Sequence, residues 1–175
     1  RRVGEALGAT RMAIEIRTVR PDEFPSLVPA LVDLLIATVD DGASLGFIPP
    51  VVPAAAWKYW IGLGPELAAG SRLLVGVFSD GQVAGSGQLW FPSLPNARHR
   101  ADVQKIFIDR TLRGRGVGAS LMTALHESAR QRGRSLLLLN ARRPVADRFY
   151  KPLGYKEVGV IPGYSLGSRG ERIDT

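Results

Sequence analysis

Cysteine is absent from the 175-residue sequence, and histidine occurs only twice, as His99 and His126. Without cysteine, the chain has no disulfide scaffold, no thiolate metal site and no cysteine nucleophile. Two histidines are too few for a multi-histidine metal site, so we assign no metal to the chain. This composition is compatible with a reducing compartment, and we expect a cytoplasmic protein.

Long apolar runs are also absent. The longest run, residues 28–39, contains Pro29 and Asp33 and is shorter than the roughly 20 apolar residues that cross a bilayer. Residues 1–11 lack the apolar run of a signal peptide. We therefore expect no membrane partner. We interpret Met12 as the natural start, residues 1–11 as a tag or disordered extension, and residues 12–175 as one domain.

The charge balance is basic, with a formal net charge of +7 and a hydrophobic fraction of 45%. Such a balance fits general solubility, a phosphorylated ligand or nucleic acid. No basic stripe interleaved with aromatic residues is present, so nucleic acid is not an expected partner.

Hydrophobic periodicity predicts a mixed α/β sheet with helices packed on it. Asp80-Gly81 predicts a hairpin turn, and Gly64-Pro65 predicts an interruption or bend in the second helix. The continuous apolar strand at residues 136–139 is typical of a strand buried on both faces. The predicted strands cover residues 13–19, 71–79, 82–91, 101–108, 136–139 and 156–161, and the predicted helices cover residues 21–39, 54–69, 117–132 and 144–151.

The segment at residues 102–119 carries the chemistry. Gly114, Gly116 and Gly118 alternate directly before the clearest predicted helix. Glycines let the backbone turn with few side chains in the way, so amide groups can face an anion. The N-terminus of the following helix adds a favourable dipole. The pattern predicts a phosphate or pyrophosphate site, with an ordinary tight turn as the alternative.

Two other phosphate-binding patterns fit less well. Gly114, Gly116 and Ala119 satisfy G-x-G-x-x-A, but this dinucleotide pattern needs glycines directly after the strand and an acidic residue about 20 positions later. Residues 134–143 contain no Asp or Glu. A P-loop needs Gly-Lys-Ser/Thr, which the sequence lacks.

Read from Arg113, the segment Arg113-x-x-Gly116-x-Gly118 resembles the Gln/Arg-x-x-Gly-x-Gly/Ala acyl-CoA motif of the GNAT superfamily of N-acetyltransferases. Residues 146–155, ADRFYKPLGY, resemble the family's FY-x-x-LGF helix and turn. The strand segment at residues 102–108 resembles a subgroup that includes tabtoxin-resistance-type enzymes. The resemblance spans roughly residues 13–168. It implies a single-domain fold with a mixed, mostly antiparallel sheet, helices on both faces and a V-shaped cofactor cleft.

The resemblance also implies roles for individual residues toward acetyl-CoA. Tyr150 would protonate the departing CoA thiolate, since its hydroxyl stays protonated at neutral pH. Asp102 would deprotonate the amine through water. The alternatives without a catalytic role are a core aromatic for Tyr150 and a surface carboxylate for Asp102. Backbone groups would align the pantetheine arm at Ile106, Phe107 and Ile108, and the pyrophosphate would lie on Arg113, Gly114, Arg115, Gly116, Val117, Gly118 and Ala119.

Two positions depart from the family pattern. Many relatives carry an asparagine seven positions before the tyrosine, where this chain has Arg143, and we expect Asn140 to substitute in contacting CoA. The family closes its sheet with one more strand after the Gly-Tyr loop. The sequence reaches Thr175 about where that strand would begin, so we expect this strand to be missing or incomplete.

The resemblance implies transfer of an acetyl group from acetyl-CoA to a primary amine of a small molecule. Direct attack in a ternary complex is the simpler mechanism, because no cysteine can carry the acetyl group. Two alternatives stay open: acetylation of a protein or peptide amine, and a non-catalytic acyl-CoA-binding module. A cleft lined by aromatic residues and closed by residues 47–53 would favour the small molecule. A homodimer is expected at the level of the family only.

Overall fold

The computed structural model describes residues 12–175, so the extension predicted for residues 1–11 lies outside the described residues. Three long helices and seven strands follow in this order: β1 (Ile14–Thr18), α1 (Phe24–Asp40), α2 (Pro53–Ala68), β2 (Arg72–Ser79), β3 (Gln82–Trp90), β4 (Arg100–Ile108), α3 (Val117–Gln131), β5 (Leu136–Leu138), then β6 (Ser165–Leu166) and β7 (Arg172–Ile173). Between β5 and β6, the one-turn helix α4 (Arg143–Val145) continues as a π-helical turn (Ala146–Tyr150) and a 3-10 turn (Lys151–Leu153).

The first five strands form one sheet in sequential order, and β6 and β7 form a separate two-stranded hairpin. Neighbouring strands from β1 to β4 are antiparallel, whereas β5 is parallel to β4. The Asp80-Gly81 turn joins β2 and β3 as predicted, with both residues at positive φ. The predicted mixed, mostly antiparallel sheet is therefore confirmed.

The two parallel strands diverge after a short contact. Only three residue pairs join them, ending at Asp102 opposite Leu138, while β4 continues for six more residues to Ile108. The edge of β4 that would face β5 is left open beyond this point. The opening between the strands is the V-shaped cleft that the resemblance implies.

Helices cover both faces of the sheet and form two separate cores. Helices α1 and α2 pack on one face, and Leu74, Phe78 and Phe107 of the sheet point toward them. Trp60 of α2 is fully buried in the same core. Helix α3 packs on the other face through Leu121, Met122, Leu125 and Ala129. The spacing of these four residues matches one face of a helix, which is why the sequence predicts α3 closely.

Three predictions about the elements are wrong. Helix α2 is not interrupted at Gly64-Pro65, since it continues through Pro65 to Ala68. Strand β5 is not buried on both faces: the exposed fractions of Leu136 and Leu138 are 43% and 37%. Residues 156–161 form no strand, and Val158 is 97% exposed. A strand needs a neighbour to satisfy its backbone groups, and only Ile161 exchanges backbone hydrogen bonds, with Thr175.

No helix within residues 12–175 is long and apolar enough to cross a bilayer.

Candidate active site

The candidate site is organised by a β-bulge in β4 at Lys105, a non-glycine residue with φ of 51°. The register of β4 against β3 shifts here, from Gln88 opposite Gln104 to Ser86 opposite Phe107. One extra residue reverses the direction in which the following side chains point. Phe107 therefore joins the core beneath α1 and α2, and Ile108 joins the core beneath α3.

The bulge also determines which backbone groups of β4 face the cleft. The Asp109 amide donates to the Ala84 carbonyl of β3 at 2.8 Å. Backbone groups alternate in direction along a strand, so Phe107 also turns its amide and carbonyl toward β3. The amides and carbonyls of Ile106 and Ile108 face the open edge. Of the three residues predicted to align the pantetheine arm, two present backbone groups to the cleft.

The glycine loop follows directly. Gly114 and Gly116 have φ of 73° and 80°, and Gly116 is the N-cap of α3. The first helical bond runs from the Ser120 amide to the Gly116 carbonyl at 3.1 Å. Among the described residues, no acceptor receives the six amides of residues 114–119. Six unpaired donors at the positive end of a helix form a site that suits a pyrophosphate.

The arginines of this loop differ in their partners. Arg113 donates from Nη1 to Asp41 Oδ2 at 2.6 Å and from Nε to the Ile108 carbonyl at 3.2 Å. Arg110 lies 3.6 Å from the other Asp41 oxygen. The Arg113 guanidinium holds the pKa of Asp41 below its usual value. Arg113 thus fixes the loop to the end of α1, whereas Arg115 has no ion pair within residues 12–175 and is exposed.

Gly118 has a different role from the other two glycines. Its φ is helical, and a Cβ added to it would lie 3.2 Å from two ring carbons of Phe149. The absence of a side chain lets the helical turn that carries Phe149 approach α3 closely. Gly118 therefore positions the neighbouring Tyr150 as well as the loop.

Tyr150 lies in a cluster of aromatic rings. Its ring centroid is 4.9 Å from that of Phe149 and 5.8 Å from that of Tyr155. Burial raises the pKa of Tyr150 to about 12, so the hydroxyl is protonated at neutral pH. Tyr155 lies 3.1 Å from His126 Nε2, and burial together with the Arg130 cation lowers the pKa of His126. His126 is half-buried, so it is not the plain surface residue its position on α3 suggests.

A cavity of about 800 Å³ lies beside β5, and both Tyr150 and Asn140 line it. Asn140 donates from Nδ2 to the Tyr164 hydroxyl at 2.9 Å. Arg143, at the position where relatives carry asparagine, pairs instead with Glu157 at 3.1 Å. The structure thus brings Tyr150 and Asn140 to one cavity beside β5, whose lining includes no residue of β4 or of the glycine loop.

Asp102 does not line this cavity. It stands opposite Trp90 of β3 and Leu138 of β5, at the last pair before the two parallel strands diverge. Its Oδ1 lies 3.2 Å from Arg100 Nη1. Asp102 therefore sits at the closed end of the cleft, on the face of the sheet that α1 and α2 cover.

On the same face lies a polar cluster that the sequence analysis missed. Its members are Tyr59 and Glu66 of α2, Arg72 of β2, Gln88 of β3, and Gln104 and Lys105 of β4. They come from four elements, and the pairing of the strands together with the packing of α2 on the sheet brings them together. The one local signal is the pair Gln104-Lys105, which breaks the alternation of polar and apolar residues along β4.

Comparison with known proteins agrees with this geometry. A profile of the acetyltransferase (GNAT) family matches residues 43–155. An uncharacterized N-acetyltransferase of Methanocaldococcus jannaschii is 38% identical over 69 residues, which cover 38% of this chain and 30% of that protein. The chain thus matches less than a third of this curated relative's length.

Two solved structures have the same fold. A ribosomal-protein-alanine N-acetyltransferase from Brucella melitensis superposes with a TM-score of 0.72 at 18% identity, covering 91% of this chain and 94% of that one. A putative acetyltransferase from Salmonella typhimurium, solved with its cofactor acetyl-CoA, gives a TM-score of 0.70 at 14% identity, covering 93% of this chain and 90% of that one. At these identities the likeness shows the fold alone.

Proposed function

Because this chain belongs to the acetyltransferase (GNAT) family, whose members are acyltransferases that use acetyl-CoA, we propose that it transfers an acetyl group to a primary amine of a small molecule. The observation that carries the acetyl-CoA part of the proposal is the row of six amides at residues 114–119 that have no acceptor among the described residues. These donors lie next to the open edge of β4, where a pantetheine arm can accept backbone hydrogen bonds.

The residues present fit the cofactor. Added Cβ atoms at Gly114 and Gly116 would meet nothing within 4 Å, so the approach to the loop amides is open. Arg115, which forms no ion pair within residues 12–175, offers a cation beside them, while the backbone groups of Ile106 and the amide of Ile108 face the cleft. Bound acetyl-CoA supplies an activated thioester, and the protein has to position it and to manage two protons.

Tyr150 is the proposed general acid. The incoming amine forms a bond to the acyl carbon, the carbon–sulfur bond breaks, and the sulfur takes a proton from the Tyr150 hydroxyl. Burial raises the pKa of Tyr150 to about 12, so the hydroxyl carries its proton at neutral pH, and the contact of Phe149 with Gly118 places the turn that carries Tyr150 against the first turn of α3. We retain Asp102 as the group that accepts the amine proton through water, from the closed end of the cleft.

The loop between α1 and α2 supports a small acceptor. Phe47 packs edge-to-face on Tyr59 with the ring centroids 5.8 Å apart. The Leu45 carbonyl accepts a hydrogen bond from Lys105 Nζ, which ties this loop to β4. A loop that packs through aromatic rings and is hydrogen-bonded to β4 limits the size of the acceptor that this side of the sheet can hold. The resemblance of residues 102–108 to the tabtoxin-resistance-type subgroup points to the same class of substrate.

A peptide amine is the second candidate. The observation in its favour is the fold shared with the ribosomal-protein-alanine N-acetyltransferase. Parallel assays with small primary amines and with peptides that begin with alanine separate the two. Faster turnover of the peptides would replace the small-molecule proposal.

The cofactor site is tested by calorimetric titration of acetyl-CoA into the wild-type chain, with CoA and ATP as comparisons. Gly116→Glu places a negative charge and a side chain at positive φ in the amide row, and we expect it to abolish binding. Gly133→Glu is the matched control, since Gly133 also has positive φ and open space but follows the opposite end of α3. Equal loss of binding in both variants, or no binding by the wild type, would contradict the assignment.

A further inference from the structure

The polar cluster beneath α2 contains more positive charge than the protein balances. It holds two cations, Arg72 and Lys105, and one carboxylate, Glu66. Arg72 donates from Nε to Glu66 at 2.6 Å, and its side chain is only 10% exposed. Lys105 forms no ion pair within residues 12–175. An unbalanced cation in a half-buried setting favours an anion arriving from outside.

Lys105 has few hydrogen-bond partners for a half-buried cation. Its ammonium group has three donors, and the one hydrogen bond it forms among the described residues goes to the Leu45 carbonyl. The rings of Tyr59 and Phe47 lie 5.0 and 5.7 Å from Nζ, which adds cation–π contacts but no acceptor. Burial, and secondarily the Arg72 charge, lower the pKa of Lys105.

The surrounding amides reinforce the excess of donors. Gln88 is fully buried, and its Oε1 accepts from both the Tyr59 hydroxyl and Arg72 Nη1 at 3.0 Å. Its Nε2 has no acceptor in the part of the chain that the structure describes. Gln104 Oε1 also accepts from Arg72 at 3.0 Å. The amide oxygens of the cluster are therefore occupied, while donors on Lys105 and Gln88 have no acceptor among the described residues.

The cluster lies where an acceptor amine would be held. Lys105 is the residue directly before Ile106, whose backbone faces the open edge of β4, and its side chain points to the face covered by the loop between α1 and α2. From these observations we propose that Lys105, together with Arg72, forms a subsite for a carboxylate, so that the preferred acceptor is a small amine carrying a single carboxylate at its far end. This inference rests on the proposed function and names its substrate class.

A single carboxylate fits better than a neutral or cationic end. One negative charge balances the excess of one cation, and a carboxylate oxygen can accept the free hydrogens of Lys105. A second amine at this place would repel both cations. A neutral alkyl end would leave the donors unpaired in a half-buried site.

The test compares aminocarboxylates of graded short chain length with alkylamines of the same length, whose amino groups have similar basicity. We expect the best aminocarboxylate to have a KM about 10- to 100-fold lower than its alkylamine, the usual range for hydrogen bonds to a charged group. Equal KM values for the two series would overturn the proposal.

Lys105→Gln removes the charge but keeps a donor for the Leu45 carbonyl, so the loop stays anchored. We expect it to raise the KM of the aminocarboxylate by about 10-fold or more and to leave the alkylamine unchanged, with recovery in Lys105→Arg. Lys58→Gln, an exposed position on α2 with the same charge change, is the matched control. An equal loss for both amine series in Lys105→Gln would mean a structural role only.

A binding measurement separates this inference from the proposed function. Calorimetry with 6-aminohexanoate and hexylamine in the presence of CoA needs no turnover. If acetyl-CoA binds and no amine is acetylated, the transferase proposal fails, yet binding of 6-aminohexanoate that is weakened by Lys105→Gln would still support the subsite. Absence of that binding, with or without turnover of other amines, would overturn the subsite.

Discussion

Gly118 of α3 and Phe149 of the helical turn before Tyr150 approach so closely that a Cβ on the glycine would lie 3.2 Å from two ring carbons. The first turn of the helix that ends the glycine loop therefore contacts the segment that carries the proposed acid. The proposed cofactor site and the proposed acid are linked through this contact, which can be changed by substitution at either residue.

Gly118→Val should destabilise the protein by about 1–3 kcal/mol, because the added methyl groups force the Phe149 ring out of place. The cost should shrink in a Phe149→Ala background, since the ring is then absent. Urea unfolding of the two single variants and the double variant measures the coupling. Gly62→Val in α2 is the matched control, because a Cβ there meets nothing within 4 Å. If the losses in unfolding free energy of the two single variants simply add in the double variant, the contact contributes nothing to stability.

Tyr150→Phe should lower kcat by about 10²- to 10⁴-fold, the usual contribution of a general acid, while acetyl-CoA binding stays within a factor of two. Its hydroxyl forms no hydrogen bond with the described residues, so the free energy of unfolding should change by less than about 0.5 kcal/mol. Tyr155→Phe removes a hydroxyl from the same ring cluster and serves as the control. A kcat close to the wild-type value in Tyr150→Phe would leave Tyr150 as a core aromatic only.

Asp102→Asn should lower kcat/KM by about 10²-fold or more while acetyl-CoA binding stays unchanged, because Asp102 is the proposed acceptor of the amine proton. Its ion pair with Arg100 is partly exposed, so stability should fall by no more than about 1 kcal/mol. Asp22→Asn breaks a more exposed surface pair with Arg20 and should leave kcat/KM unchanged. A kcat/KM close to the wild-type value in Asp102→Asn would identify Asp102 as a surface carboxylate.

Stability should depend on pH through His126. Burial, and secondarily the Arg130 cation, hold the pKa of His126 below its unfolded value of about 6.5, so the unfolded chain binds the proton more readily. Stability is therefore lost as pH falls through about 6.5 toward the lower pKa of the folded state. Thermal unfolding between pH 5 and 8 should show this slope in the wild type and in His99→Gln, and a smaller slope in His126→Gln. An equal slope in all three proteins would show that His126 does not cause the pH dependence of stability.

Local patterns in the sequence are enough to predict much of this fold. The spacing of Leu121, Leu125 and Ala129 predicts α3, and the Asp80-Gly81 turn predicts the β2–β3 hairpin. Glycine at residues 114 and 116 predicts a loop that turns its amides outward. Each of these features depends on residues that are close together in the chain, so the sequence alone contains the information needed to predict it.

Features that depend on distant partners are harder to predict. Residues 156–161 have the composition of a strand, yet within the described chain no neighbour pairs with them beyond the contact of Ile161 with Thr175. Leu136 and Leu138 look buried because they are apolar, but β5 is paired on one side only. The polar cluster is assembled by cross-strand register, and neither Arg72 nor Gln88 is unusual in its own segment.

The bulge at Lys105 lets β4 contain one residue more than its pairing with β3 requires. If Lys105 were deleted, strict alternation from Gln104 would leave Ile106 and Ile108 pointing toward α3 and Phe107 toward α1 and α2, so each core would keep its present side chains. If the residue were kept and the bulge flattened, these three side chains would exchange faces, and the backbone groups of Ile106 and Ile108 would turn from the cleft into the sheet. The extra residue therefore adds a lysine to the face that α1 and α2 cover without changing what either core receives.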